Sequence, residues 1–158
     1  MSAVTYLNFD GNAEQAIEFY SEALSATEVK KVKFKDFPQD PNYPLPENEL
    51  DMIMESSITF PGGKMMMSDL LPSMKTVTGE LVKGNHALIS LINDNQQKLD
   101  EYFSKLSVGG HVIMPLSHTP WSSCFGMLVD KFGVSWKFNK DADQFLDRVI
   151  SNTKDENG

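Results

Sequence analysis

The stretch Tyr6-Leu7-Asn8-Phe9-Asp10-Gly11-Asn12-Ala13-Glu14-Gln15-Ala16-Ile17-Glu18-Phe19-Tyr20 changes its period halfway along. Val4–Phe9 is a short β-prone run, Asp10-Gly11-Asn12 brings turn and N-cap chemistry, and Ala13, Ala16, Ile17, Tyr20 and Leu24 then recur at helical spacing. A strand, a turn and a helix are predicted. Thr27–Lys35 alternates apolar and charged residues and reads as a second strand, which the prolines between Asp36 and Glu49 end in a loop. Met52–Phe60 and Lys64–Asp69 flank Pro61-Gly62-Gly63 and read as a tight hairpin. Leu70 to Lys83 has no sustained period and reads as a linker.

The order then returns. His86–Ile92 is predicted as a strand, Asn93-Asp94-Asn95 as a helix start, and Leu99, Tyr102, Phe103 and Leu106 as a helical stripe ended by Gly109-Gly110. His111–Met114, Cys124–Val129 and Val134–Phe138 follow as strands. Phe19-Tyr20 is matched by Tyr102-Phe103 at an offset of 83, and Gly63 by Gly133 at an offset of 70. The shortfall of about 13 residues is the size of the Pro-rich loop, so the chain reads as two βαβββ copies with one insertion. Asp141–Ser151 is predicted as a short amphipathic helix and Asn152–Gly158 as a disordered polar tail.

The chain has 158 residues, 41% hydrophobic and 23% charged, enough for one compact domain. Its 14 Lys+Arg against 22 Asp+Glu leave a net charge of −8, a field that repels phosphate backbones and anionic lipid surfaces. Lys30, Lys31, Lys33 and Lys35 alternate with Val32 and Phe34, which marks a solvated strand face and no nucleic-acid patch. With Cys124 alone, no intrachain disulfide forms; with no basic-then-apolar start and no long apolar run, the expectation is a cytoplasmic protein without a membrane span.

The opening stretch is similar to that of the PhnB-like branch of the vicinal-oxygen-chelate, or glyoxalase/bleomycin-resistance/dioxygenase, superfamily. Gly109-Gly110-His111-Val112-Ile113-Met114-Pro115-Leu116, Trp121, Phe125-Gly126 and Asp130-Lys131-Phe132-Gly133-Val134-Ser135-Trp136 resemble that branch's closing signature. The resemblance spans Val4 to Asn139. It implies an α+β fold of two βαβββ modules forming curled, barrel-like sheets: a single domain over residues 1–140, with module one at 3–70, module two at 84–139, and a C-terminal helix and tail at 141–158.

Metal-dependent members of that superfamily hold a divalent ion with ligands from the first and last strands of both modules. Carried onto this chain, those positions are Thr5 or Tyr6, Met67, His86 and Lys137. Thr5 and Tyr6 are not usual ligands, a thioether suits these metals poorly, and an ammonium repels the cation. His86 alone is a plausible donor, His111 and His118 fall outside the set, and no metal or cofactor is expected. The resemblance thus implies a pocket near Tyr6, Asn8, Met67, His86, Trp121 and Lys137 that takes an unknown small molecule, with Lys137 facing an anion.

Each of these has a blander reading: His86 as hydrogen-bonded structure, Lys137 facing water, and the Met65-Met66-Met67 run as core. Trp121 suits a pocket lid or a dimer anchor, and a homodimer is expected because curled sheets expose edges. Nothing local activates Cys124, and no glycine-rich strand-to-helix loop cradles a nucleoside cofactor. Two functions from different classes stay open: a metal-independent binding protein, and an enzyme with substitute ligands or with His86 as general base.

Overall fold

The computed structural model describes residues 1–157 and divides into two compact units, Met1–Val82 and Lys83–Gly158. In the first, β1 (Thr5–Phe9), α1 (Ala13–Ala23), β2 (Glu28–Lys33), β3 (Ile53–Phe60) and β4 (Gly63–Asp69) are followed by the short α2 (Lys75–Thr78). The second holds β5 (Ile89–Ile92), α3 (Gln96–Leu106), β6 (His111–Thr119), β7 (Ser122–Val129), β8 (Ser135–Asn139) and α4 (Ala142–Asn157). The first sheet runs β1-β4-β3-β2 and the second β5-β8-β7-β6, each with one parallel pair and two antiparallel pairs. The repeated βαβββ reading holds: both sheets are open and have the same strand order. Among the described residues no helix is long and apolar enough to cross a membrane.

In the first unit Ala13, Ala16, Ile17, Tyr20 and Ala23 form the buried stripe of α1, which packs against β3 and β4. Ile58, Met65 and Met67 meet it as fully buried side chains. The helix starts at Ala13 as predicted, but its cap is not the expected one. Asn12 makes no side-chain cap bond; Asp69, at the end of β4, does the work from across the fold. Its Oδ1 accepts from the Gly11 and Ala13 amides at 2.8 and 3.0 Å, and its Oδ2 from the Ile53 amide at 2.9 Å. In the second unit the predicted helix start stands: Asn95 Oδ1 accepts from Lys98 N at 3.2 Å.

Asp130 fixes the second hairpin. Its carboxylate accepts from the amides of Phe132 and Val134 and from the Trp136 indole at 2.9 Å, which explains why the turn reads Asp-Lys-Phe-Gly. Gly109 adopts φ +73° after α3, and a Cβ on Gly110 would run into the Val129 carbonyl oxygen.

Four expectations are corrected. The strand predicted from His86 begins at Ile89. β6 runs on past Met114 to Thr119, because an edge strand with irregular register tolerates Pro115. The linker contains a 3-10 turn at Pro72–Met74 and α2. The tail expected to be disordered continues α4 through Asn157, and residue 158 lies outside the described residues.

Removing the Asp69 carboxylate leaves the buried amides of Ala13 and Ile53 without an acceptor, at about 1–3 kcal/mol each, and also the part-buried amide of Gly11. Asp69→Ala is therefore expected to cost about 3 kcal/mol or more, which lowers Tm by roughly 10 °C at this chain length. A scanning-calorimetry shift of less than about 2 °C would show that the carboxylate is dispensable.

Candidate functional site

Side chains alternate along a strand, and paired residues share a face, so each sheet has a helix face and an open face. In the first sheet Tyr6 pairs with Met66 and Asn8 with Ser68, whereas Leu7 pairs with Met67. Tyr6 is 43% exposed and Met67 is 0% exposed. Tyr6, Asn8, Met66 and Ser68 therefore form the open face, and Met67 lies on the other side under α1.

The placing of Met67 beside Tyr6 is thus corrected to Met66. The cause is a one-residue slip: Gly63 is a strand residue paired with Phe60, while Gly133 sits in a turn at φ +85°, so the two glycines do not correspond.

The Tyr6 hydroxyl donates to Ser68 Oγ at 2.7 Å and lies beside the Glu55 carboxylate on β3. Burial pushes the phenol above its usual range and Glu55 adds to it; the Ser68 hydroxyl, turned to donate to the phenolate, opposes this. Glu55 and Ser68 were not singled out in the sequence. The signal available was the alternation of β3 and β4, which a register error obscures.

In the second sheet Phe103 of α3 packs on Phe138 with ring centroids 5.1 Å apart, and a Cβ on Gly126 would meet the same Phe103. Phe138, Gly126, Trp136 and Leu128 are therefore on the helix face. Lys137, Phe125 and Met127 alternate to the open face, where Ser90 pairs with Lys137.

There Lys137 Nζ lies 5.8 Å from the Phe125 ring centroid, and Trp121 meets that ring edge-on at 5.5 Å. Trp121 sits in the β6–β7 turn, 37% exposed. Lys137 is half-buried and makes no ion pair among the described residues. The structure thus brings Trp121 and Lys137 together through Phe125, a residue quoted in the closing signature but given no role there.

His86 is not part of this group. It is exposed in a bend three residues before β5, and by alternation Leu88 precedes Ser90 on the open face. Among the described residues no three His, Cys, Asp or Glu side chains are grouped as a metal-holding set.

Comparison with known proteins extends this picture. The family model described as 3-demethylubiquinone-9 3-methyltransferase matches residues 1–139. Protein YjdN of Escherichia coli K12 is 31% identical over 142 residues, covering 85% of this chain and 91% of YjdN. Protein PA1353 of Pseudomonas aeruginosa superposes with a TM-score of 0.72 at 33% identity, covering 89% of this chain and 97% of that one. A putative 3-demethylubiquinone-9 3-methyltransferase, PhnB protein, of Bacillus cereus gives a TM-score of 0.65 at 26% identity, covering 89% and 99%. A glyoxalase/bleomycin resistance protein/dioxygenase superfamily member from Sphaerobacter thermophilus shares the fold at 22% identity and a TM-score of 0.50, covering 89% and 98%. With two βαβββ units, the sequence signatures of both and a family match over nearly its whole length, this chain belongs to the PhnB-like 3-demethylubiquinone-9 3-methyltransferase family.

Proposed function

We propose that this chain is a metal-independent binding protein for a small organic anion with an aromatic or apolar body. The observation that carries the proposal is Lys137: a half-buried ammonium on the open face of the second sheet, over the Phe125 ring and without a carboxylate partner among the described residues. A cation–π contact of about 0.5–1 kcal/mol does not replace the counter-charge that a half-covered ammonium favours. A ligand carboxylate or phosphate supplies that charge, while its apolar part covers Met127 and Trp121 beside the buried Phe125 ring. The Ser90 hydroxyl, opposite Lys137 in the register, adds a donor on the same face.

The donor chemistry supports the metal-independent part. At the first- and last-strand positions, Tyr6 and Met66 on one open face and Ser90 and Lys137 on the other are not the His, Glu or Gln set that a divalent ion needs, the Glu55 carboxylate on β3 adds a single donor, and the ammonium repels a cation. The enzyme reading with His86 as general base has less support, because that imidazole is exposed and outside the sheet. Methyl transfer, which the family description names, would call for a cofactor cradle. At the β1–α1 turn the amides of Gly11 and Ala13, which such a cradle would use, are taken by Asp69.

Thermal-shift measurements test the anion. An aromatic carboxylate or phosphate at about 100 times its Kd adds about 2.7 kcal/mol, which raises Tm by roughly 5–10 °C. Lys137→Met is expected to lose this shift. Lys35→Met, which removes an exposed lysine paired with Asp51 in the first unit, is expected to keep it. Equal stabilisation of Lys137→Met by the same anions would sink the proposal.

Elemental analysis tests the metal. The purified protein is expected to carry no stoichiometric zinc, nickel, manganese or iron. About one such ion per chain, removed by chelator together with fold or ligand binding, overturns the metal-independent reading.

A further inference from the structure

β1 and β4 run parallel and end together, with Phe9 opposite Asp69, so Asp10 and Leu70 leave the first sheet side by side. The Leu70 amide donates to the Phe9 carbonyl oxygen at 2.7 Å, which holds the two exits together. Leu71 is then buried, Pro72 starts a 3-10 turn, and α2 follows. Gly79 reverses the chain at φ +77°, a left-handed conformation that a side chain disfavours, and its amide donates to the Lys75 carbonyl oxygen at 2.9 Å. Beyond the reversal the Glu80 carboxylate meets Lys75 Nζ at 3.6 Å, and Leu81 returns towards the end of the sheet. The linker and the β1 exit thus enclose a cleft of about 320 Å³ within the first unit.

The cleft is apolar on one side and charged on the other. Leu70, Leu71, Pro72 and Leu81 give it an apolar wall, and Asp10, Lys75 and Glu80 bring the charges. Lys75 and Glu80 neutralise each other, whereas the exposed Asp10 makes no ion pair among the described residues. One carboxylate is therefore left beside leucine and proline side chains. An anion is repelled there, since two carboxylates face one ammonium. A primary ammonium fits, because its N–H donors suit a carboxylate and an apolar body attached to it covers the leucines. The volume lies at the lower end of the ~300–1,000 Å³ of small-molecule clefts, so the body is a single ring or a short branched chain.

We propose that this cleft binds a small primary amine with a compact apolar body, its ammonium on Asp10 and its body against Leu71, Pro72 and Leu81. The site uses no residue of the anion site on the second unit, so either proposal can fail without the other.

Amide chemical shifts of the isotope-labelled full chain, titrated with phenethylamine, test it. Saturable shifts are expected at Asp10 and across residues 70–81. Phenethyl alcohol, the same body without the charge, is expected to bind about 5-fold more weakly, and hydrocinnamate, with the charge reversed, to leave those amides unmoved. Asp10→Asn is expected to weaken the amine about 5-fold, as loss of an ion pair within reach of solvent does. Asp94→Asn, which removes an exposed carboxylate of the second unit, is expected to leave the affinity as it is, which excludes a general charge effect. Leu81→Lys places a fixed ammonium at the apolar wall and is expected to abolish binding; the Asp10→Asn result decides the matter if that variant loses its fold. Absence of saturable shifts, shifts confined to residues outside the cleft, equal affinity for the alcohol or the carboxylate, or an Asp10→Asn chain that binds the amine as the wild type does overturns the proposal.

Discussion

A buried carboxylate holds the first unit together. Asp69 ends β4, and its two oxygens reach the start of α1 and the start of β3, so one side chain fixes the helix entry and the hairpin register at once. An amide at a helix start has no intrahelical acceptor, and a charged acceptor inside the fold makes stronger bonds than a neutral one. The face of β4 that carries Asp69 also carries Met65 and Met67, which sets the open face as Met66 and Ser68. The position of Tyr6 against Ser68 and Glu55 follows from that choice.

The second unit has the same strand order and a different anchor. Asp130 ties the β7–β8 turn to the Trp136 indole, and Asn95 caps α3 from its own sequence. Each unit thus solves the same topological problem with its own polar residues. The open faces differ accordingly: a phenol, a hydroxyl and a carboxylate on the first sheet, an ammonium among aromatic and thioether side chains on the second. A shared scaffold with different open-face chemistry is why family membership alone does not assign the reaction.

Much was legible in the sequence because local periodicity is a local property. The strand–turn–helix at Val4–Leu24, its return after the linker, the hairpins and the repeat all followed from spacing, turn residues and one comparison of the halves. Lys137 stood out as an amine at a position where the resemblance implies a metal ligand, and the alternation of β8 puts it on the open face. The errors share a cause. Met67 was placed by the offset between the two halves and His86 as the first residue of a strand, and a one-residue difference in turn construction reverses a side chain's face while a later strand start leaves His86 outside the sheet.

By itself, the sequence determined the element order, the α+β class and the doubled module, because apolar periodicity and turn chemistry are written in neighbouring residues. Only the tertiary structure decided which residues share a face. The α1 cap comes from Asp69 at the far end of the module and not from adjacent Asn12, Phe125 joins Trp121 to Lys137, and Leu146, Val149 and Ile150 remain uncovered. Each of these depends on registers and packing between segments distant in the chain, which no local pattern records.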